Sequence, residues 1–297
     1  MIKRIVLSPR TPFSSLFSAD QMWGQFIWAL SDIYGKEKAS ETVRLYTDGA
    51  PPILFSSAMV DGYLPKPQYV NALADFSNAN EKSNKKCNWL TYEDFSRLQC
   101  DSSYLKTKEL KLDGNRALES VQELHVSISR KDECGDKEKG LYNVSYKYSK
   151  VPLVVYADVK DESWQPTLEE VIDNWKIVGL GGDRNVGRGQ FDITLEDLSE
   201  AEKALFDYED GNGFVSLSES FGSDLSPVYY SIDVHAGFVG RKNEMNGVYR
   251  KKPVIRYLSG SFFKVGKGEV IRTVDGQDIF SYGLTFPVDM KLEDPNE

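Results

Sequence analysis

Cysteine and histidine are scarce in this chain. Only three of its 297 residues are cysteine and two are histidine. Cys87, Cys100 and Cys134 are widely separated and form no C-x-x-C pair, which argues against both a disulfide framework and a zinc site. The carboxylates show no D-x-D or E-x-x-H spacing either. We therefore predict ordinary thiols, no metal site and no cofactor.

Long apolar runs are also absent. No stretch approaches the roughly 18 apolar residues that a transmembrane helix needs. The amino terminus begins directly with a strand-like segment, so we expect no signal peptide and no membrane span, and we predict a cytoplasmic protein. With 40% hydrophobic and 12% aromatic residues, the chain can bury one large core or two ordinary ones.

Basic residues are outnumbered in the chain as a whole. The 36 Lys and Arg residues and 45 Asp and Glu residues give a net charge of −9, which counts against a nucleic-acid partner because affinity for a polyanion depends largely on Lys and Arg. The region from Gly240 to Arg256 is the exception, since a single Glu244 stands there against Arg241, Lys242, Arg250, Lys251, Lys252 and Arg256. Tyr249 and Tyr257 flank its basic triplet as potential stacking surfaces for RNA bases. The alternative is a solvated charged face, and the acidic remainder either faces a protein partner or confers solubility.

A glycine-rich loop is the most informative feature that is present. Five of the eleven residues from 179 to 189 are glycine, and Arg184 and Arg188 lie among them. Glycine permits positive φ and lets a ligand backbone approach the amides closely, while guanidinium groups match phosphate oxygens. We predict a phosphate-binding loop. For Gly179 alone, the alternative is a simple helix C-cap.

The order of elements around this loop excludes the common nucleotide motifs. A capping box of Thr167 and Glu170, followed by apolar residues at helical spacing, predicts a helix that runs into the loop. Alternation from Phe191 to Leu195 predicts a strand that leaves it. P-loops and dinucleotide-binding loops run from strand to helix, and the Walker lysine and hydroxyl are replaced here by Arg188 and Gly189. An NTPase is therefore disfavoured.

The first two thirds of the chain predict the order β-α-β-β-α-β. Strand one is Arg4–Leu7, a capping box starts helix one at Ser18, and the remaining strands are predicted at 51–55, 124–129, 141–148 and 151–159. Residues 78–116 are polar and weakly periodic, so we interpret them as an insertion or a long loop. Asp20, in the first turn of helix one, is interpreted as complementing the helix dipole.

From Phe214 onward, short strands punctuated by glycines dominate. They are predicted at 214–217, 228–234, 254–258, 261–265, 269–274 and 280–285. The fold class predicted is α+β, with tandem ferredoxin-like (RRM-like) modules that carry insertions and a β-rich second module. We place the modules at 1–197 and 198–297, with a boundary near 197–213 and a hairpin projecting from the first module around 125–148.

These features resemble the RAMP superfamily of CRISPR-associated RNA-binding proteins. The resemblance rests on the glycine loop, on Asp20, Trp23-Gly24 and Phe26–Leu30 in helix one, and on His125–Arg130 followed by Gly140-Leu141-Tyr142. It implies a pair of ferredoxin-like modules, of which the second is a degenerate copy of the first, and a projecting hairpin, Lys131–Gly140, that wedges between guide nucleotides. It further implies a non-catalytic subunit of a type III-A (Csm) effector complex that holds the 5′ handle of crRNA, with the large signalling subunit and a backbone RAMP subunit as partners.

The candidate RNA-binding residues follow from the loop, the resemblance and the basic stretch together: Gly181, Gly182, Arg184, Gly187, Arg188, Gly189, His125, Arg130, Arg250, Lys251 and Lys252. Two rival functions stay open. One is a metal-independent CRISPR RNA-processing endoribonuclease with His125 as acid or base, and the other is a purely structural bridge whose glycine loop binds protein.

Overall fold

The structure is a computed structural model that describes residues 1–74, 84–106, 108–110, 113–126, 140–237, 239 and 250–292. Its helices are α1 Ala19–Tyr34, α2 Lys36–Thr47, α3 Gln68–Ala72, α4 Tyr92–Cys100, α5 Asp113–Arg116, α6 Gln165–Val178 and α7 Glu200–Phe206. Its strands are β1 Ile2–Pro9, β2 Ile53–Phe55, β3 Met59–Val60, β4 Tyr63–Pro65, β5 Trp89–Thr91, β6 Leu118–Val126, β7 Leu141–Ser149, β8 Leu153–Val159, β9 Phe191–Asp197, β10 Gly213–Ser216, β11 Pro227–Tyr229, β12 Ile232–His235, β13 Val254–Tyr257, β14 Phe262–Phe263, β15 Val270–Arg272, β16 Phe280–Tyr282 and β17 Pro287–Met290. The predicted α+β class is confirmed.

The main sheet of the first half has the strand order β2-β8-β1-β9, and every neighbouring pair is antiparallel. β3 pairs with β8 beside β2. Ile5 on β1 is opposite Val155 on β8 and Leu195 on β9, so the central strand is apolar on the face that the helices cover. The chain runs from β1 through α1 to β2 and from β8 through α6 to β9, which is the predicted β-α-β-β-α-β order.

Helix α1 begins where the sequence predicts. The Ser18 side chain accepts from the Gln21 amide and the Gln21 side chain accepts from the Ser18 amide, a complete capping box. The helix ends at Gly35, whose φ is 94°. Its buried face includes Met22, Phe26 and Leu30, which pack under the main sheet.

The start of α6 is a correction. The helix begins at Gln165, two residues before the predicted capping residue Thr167, and Pro166 occupies its first turn. Proline fits there because its fixed φ suits a helix start and its missing N–H would be unpaired. Glu170 closes no capping box and instead accepts from the Tyr34 hydroxyl at 2.5 Å, which ties α6 to α1.

The alternative of a long loop at 78–116 is wrong for the part that the structure describes, whereas the insertion stays a prediction. β5 pairs with β4, and α4 follows with Thr91 as its N-cap. Leu90, Phe95 and Leu98 are buried in a second core that also contains residues from the carboxyl-terminal third of the chain. Residues 78–83, 107, 111 and 112 lie outside the described residues.

The two long strands β6 and β7 pair over nine residues and form a separate hairpin. β6 starts at Leu118, six residues earlier than predicted, because alternating residues from 118 onward meet partners on β7. Residues 127–139, which include Arg130 and most of the predicted projecting segment, lie outside the described residues.

The second half contains a four-stranded antiparallel sheet of order β11-β14-β10-β17. We number the four strands of each sheet from one to four in chain order. Across the sheet, β11-β14-β10-β17 then has the spatial order two, three, one, four. The main sheet, β2-β8-β1-β9, has the same order. Several elements outside 78–116 were not predicted, namely α2, α3, α7, β3, β4 and β17. The predicted strand 228–234 is divided into β11 and β12, because β11 pairs with β14 while β12 pairs with β13.

A buried ionic network joins β1 to the start of α7. Arg4 lies 2.7 Å from Asp61 and 3.2 Å from Glu202, whose side chain is 0% exposed. Tyr156 donates to Glu202 at 2.7 Å. Burial raises the pKa of Glu202, but hydrogen bonds from Ser199 and Tyr156 together with the charge of Arg4 outweigh it, so the pKa is lowered overall.

We predict that Glu202→Gln destabilises the protein by about 3 kcal/mol, because it leaves the Arg4 guanidinium buried with one carboxylate fewer. Urea unfolding at neutral pH measures this loss. Since the folded-state pKa is lowered, the ionic contribution is complete above the ordinary pKa and disappears as the pH falls through the folded value. The difference between the two proteins should therefore shrink in acid.

Glu200→Gln is the matched control, since its side chain is 91% exposed in the same helix. It should change the free energy of unfolding by less than about 0.5 kcal/mol. Equal losses for the two variants would show that the buried network contributes nothing of its own.

Candidate nucleic-acid interface

The glycine loop lies between α6 and β9, as the sequence predicts. The Gly179 amide donates to the Trp175 carbonyl at 2.8 Å and ends the helix, so Gly179 is a C-cap, the alternative considered for this residue. A single 3₁₀ turn, Arg184–Val186, forms the middle of the loop. Asp183 before it and Gly187 after it are left-handed, with φ of 58° and 81°.

Five consecutive backbone amides, from Gly181 to Asn185, have no hydrogen-bond acceptor in the described part of the chain. The amides on both sides are used internally: those of Val186 and Arg188 donate to the Asp183 carbonyl, and that of Gly187 donates to the Arg184 carbonyl. Consecutive N–H groups around a left-handed residue form an anion-binding concavity. The loop therefore offers a row of neutral donors at the surface.

The glycines have different roles. A Cβ on Gly189 would overlap the Leu180 carbonyl oxygen, and one on Gly181 would lie 2.8 Å from the Phe17 ring. These two positions need glycine for the fold itself. Gly182 is different, because its φ is not positive and a Cβ there would meet only the Ser14 side chain at 3.5 Å. No contact within the protein explains why position 182 is occupied by glycine.

The two loop arginines are held by other groups. Arg184 donates to the Gly179 carbonyl at 3.2 Å. Arg188 forms an ion pair with Glu123 on β6, and its guanidinium lies 5.1 Å from the centre of the Tyr146 ring. Its Nε is buried without a partner in the described structure. Arg188 therefore meets a phosphate only by sharing or leaving Glu123.

The middle and the loop-side end of the β6–β7 hairpin form one wall of this site. His125 Nε2 lies 3.7 Å from the Glu123 carboxylate, and the His125 ring lies 5.7 Å from that of Tyr142. Tyr146 donates to the Asp183 carboxylate at 3.2 Å. Burial and the charge of Asp183 raise the pKa of Tyr146, which keeps this donor protonated. The structure thus brings His125 and the glycine loop together.

Sequence reasoning missed Glu123, Tyr146 and Asp183. Glu123 and Tyr146 lie on the face of the hairpin that also carries His125, and strand alternation from His125 would have found them. Asp183 is the one non-glycine residue with positive φ in the described structure. Its sequence context does not predict this conformation.

The basic stretch is not a free cationic patch where it is described. Lys251 Nζ donates to the Phe280 carbonyl at 2.6 Å and lies 3.5 Å from Asp20. Lys252 contacts both oxygens of Asp275 at 2.7 Å. Either lysine would have to share or leave these partners to bind a phosphate, and the assignment of both as RNA-binding residues stays a prediction. Arg250 is exposed, whereas Arg130, Gly240, Arg241, Lys242, Glu244 and Tyr249 lie outside the described residues.

Asp20 has a structural role beyond the predicted complement to the helix dipole. It lies in the first turn of α1, as predicted, and is buried. Its Oδ1 accepts from the Tyr282 amide at 2.7 Å, which connects α1 to the second half of the chain.

Neither a metal-binding cluster nor a membrane-spanning helix is found among the described residues. No group of three or more His, Cys, Asp or Glu side chains there is placed to hold a metal ion. No helix there has the length and apolar character needed to cross a bilayer.

No family model and no curated protein matches this sequence at a significant level. Solved structures do match its fold. A chain of a Csm1–Csm4 cassette in complex with pppApA matches with a TM-score of 0.68 and 18% identity, over 99% of this chain and 100% of that one. A chain of the same cassette in complex with AMPPNP gives 0.67 and 19%, again over 99% and 100%.

A chain of a Csm3–Csm4 subcomplex from the type III-A CRISPR-Cas interference complex matches as well, with a TM-score of 0.66 and 16% identity, over 98% of this chain and 100% of that one. Csm4 is the component that these complexes have in common. At such low identity the matches concern the fold. The fold of this chain thus resembles that of the matched chains of Csm complexes over nearly its whole length.

Proposed function

We propose that this protein is a non-catalytic RNA-binding subunit of a type III-A CRISPR interference complex. In this role it holds the 5′ handle of crRNA and bridges the large signalling subunit to the backbone subunits. The observation that carries the proposal is the row of unpaired amides from Gly181 to Asn185, in a loop that the Arg188–Glu123 ion pair joins to the hairpin carrying His125 and the exposed ring of Tyr142. Phosphate-binding amides beside aromatic rings are what an unstacked single strand requires.

The bridging role is supported by the fold matches, because their complexes pair Csm4 with Csm1 in one case and with Csm3 in the other. We further propose that the chain consists of two ferredoxin-like modules, 1–197 and 198–297. The shared strand order of the two four-stranded sheets supports this division. In the second sheet, coil and the β15–β16 hairpin stand where the first sheet has crossover helices.

An endoribonuclease remains the second candidate, since a carboxylate lies 3.7 Å from the His125 imidazole. A carboxylate in that position can orient a catalytic histidine. In this site, however, Glu123 is already paired with Arg188. The two functions are distinguished by whether the protein cleaves the RNA that it binds. A processing enzyme cleaves repeat RNA without metal when isolated and loses this activity on His125→Ala, whereas a binding subunit leaves the RNA intact.

The proposed function is tested with Arg184→Ala/Arg188→Ala. The protein is purified after co-expression with its neighbouring genes and a CRISPR array, and the bound RNA is sequenced and quantified. We expect the double variant to retain at least about tenfold less crRNA, with a shallower salt dependence, because two phosphate-binding cations are removed.

Arg97→Ala is the control, since Arg97 lies exposed on α4 and pairs with Glu93. If the double variant and the wild type retain equal amounts of crRNA, the loop has a structural or protein-binding role instead. RNA without a shared 5′ end would contradict handle recognition.

We predict that Gly182→Ala reduces crRNA retention without destabilising the fold. The added methyl group meets no close internal neighbour but lies among the unpaired amides, where it keeps a phosphate backbone away. A loss of about 1–2 kcal/mol, or roughly five- to thirtyfold in affinity, corresponds to one or two amide contacts. Filter binding to a handle RNA, together with a thermal unfolding curve, measures both effects.

Gly24→Ala is the matched control, because a Cβ at Gly24 also has open space and that residue lies within α1. It should leave RNA binding unchanged. Unchanged binding by Gly182→Ala would mean that RNA does not approach the loop backbone.

We predict that Glu123→Gln strengthens RNA binding. The change keeps the shape of the side chain but removes the charge that occupies Arg188, so the guanidinium is free to bind phosphate. A severalfold lower Kd at low salt is expected. Glu119→Gln is the control, since Glu119 lies on the same strand and pairs with the exposed Lys150. Weaker binding by Glu123→Gln would show instead that Glu123 positions Arg188 for the ligand.

A further inference from the structure

Ser14, in the segment that joins β1 to α1, lies directly beside the glycine loop. A Cβ placed on Gly182 would meet the Ser14 Oγ at 3.5 Å, and one placed on Gly181 would meet it at 3.6 Å. Among the described residues that are not chain neighbours of Gly182, only Ser14 lies within 4 Å of that Cβ position. The hydroxyl therefore stands next to the first two amides of the row that ends at Asn185.

Ser14 is held in this place by the two residues that precede it. The Pro12 carbonyl accepts from the Gly189 amide at 2.9 Å. The backbone of Phe13 exchanges two hydrogen bonds with Lys147 on β7, at 2.8 and 2.7 Å, and the Phe13 side chain is fully buried. The chain that enters Ser14 is thus attached both to the glycine loop and to the β6–β7 hairpin, so the side chain of Ser14 has a defined position between them.

The protein itself makes no use of this hydroxyl. Ser14 is exposed, and its Oγ has no hydrogen-bond partner in the part of the chain that the structure describes. A serine with a local structural role is different, as Ser18 shows by accepting from the Gln21 amide. Exposed serines are common, but this one lies beside five free donors and beside Gly182, where no internal contact requires glycine.

The hydroxyl can do what the amides of the loop cannot. Backbone amides and guanidinium groups only donate, so they bind the phosphates of RNA and DNA alike. A serine hydroxyl both donates and accepts. The 2′-hydroxyl of ribose has the same two capacities, and it is the group by which a protein distinguishes RNA from DNA. Within a nucleotide it is adjacent to the 3′-phosphate, so a phosphate on the first amides of the row can bring a 2′-hydroxyl to Ser14.

We infer that the Ser14 hydroxyl hydrogen-bonds the 2′-hydroxyl of the nucleotide whose 3′-phosphate is bound by the amides of Gly181 and Gly182. Ser14 is then the residue that makes this site selective for RNA over DNA. The inference rests on the proposed function, because it concerns the strand that the glycine loop binds. It adds a contact from a third segment of the chain and a group on the ligand that the loop alone does not recognise.

The test combines Ser14→Ala with single-atom changes in the ligand. The probes are an RNA with the 5′ sequence of the crRNA that co-purifies with the wild-type protein, the DNA of the same sequence, and a set of RNAs that each carry one 2′-deoxy nucleotide. Filter binding of the full chain gives the Kd for each probe. Ser40→Ala is the matched control, because Ser40 is an exposed serine on α2, and thermal unfolding checks that both variants are folded.

For the wild type, we expect one 2′-deoxy position to raise the Kd about three- to tenfold, as the loss of one neutral hydrogen bond does. Ser14→Ala should raise the Kd for the unmodified RNA by the same factor and leave the Kd for DNA unchanged. At the sensitive position, the 2′-deoxy change should then have no further effect on Ser14→Ala, since both changes remove the same contact. Ser40→Ala should behave as the wild type with every probe.

Three results would overturn the inference. Unchanged RNA binding by Ser14→Ala would show that the hydroxyl does not contact the ligand. Equal weakening of RNA and DNA would assign Ser14 to a phosphate instead. Additive effects of Ser14→Ala and every 2′-deoxy change would place 2′-hydroxyl recognition elsewhere. A wild-type chain that binds no crRNA would contradict the proposed function itself, and this case is distinguishable because the failure precedes any substitution.

Discussion

The site depends on one close approach of the backbone to itself. The Leu180 amide donates to the Gly189 carbonyl at 2.8 Å, and the Gly189 amide donates to the Pro12 carbonyl at 2.9 Å. Any side chain at Gly189 would overlap the Leu180 carbonyl oxygen. This contact joins the two ends of the loop and fastens them to the segment between β1 and α1. The loop residues between Leu180 and Gly189 are thereby bent outward. Their amides are kept away from acceptors inside the protein.

A second constraint sets the direction of the β6–β7 hairpin. Arg188 reaches across to Glu123 and covers Tyr146, while Tyr146 holds the carboxylate of Asp183. Because Asp183 is left-handed, its carboxylate is directed to the hairpin rather than to the row of amides. The one acidic group in the loop is thus satisfied by a tyrosine. Loop and hairpin then form a single surface, and a ligand that moves Arg188 must also alter the contact with the hairpin.

The sequence predicted those parts of the fold that local chemistry determines. The capping box at Ser18 and the helix–loop–strand order around residues 179–191 depend on neighbours in the chain, and the structure has both. The alternative of a long loop at 78–116 failed because the apolar residues that fix this segment, such as Leu90 and Phe95, are sparse in sequence and pack in the second core with residues distant in the chain. The start of α6 shifted because proline at a first turn and a capping box two residues later are competing signals.

The same distinction applies to the site. Glycine spacing alone indicated the loop, since positive φ is a property of single residues. The partners of Lys251, Lys252 and Arg188 could not be predicted, because each carboxylate comes from a segment distant in sequence. A count of basic residues cannot show this pairing. Only tertiary structure shows which charges are already paired.

This pairing bears on how a chain of net charge −9 could offer the proposed phosphate site. A surface lysine in such a protein is readily neutralised by one of 45 acidic residues, as Lys252 is by Asp275. A backbone amide carries no charge and attracts no counter-ion at long range, so a nearby carboxylate does not occupy it unless the geometry places that carboxylate directly in line. Donors fixed by glycine conformations therefore stay available where cations do not. Affinity that comes from such amides depends on the shape of the bound backbone more than on its charge density, which favours one defined bend of a single strand over polyanions in general.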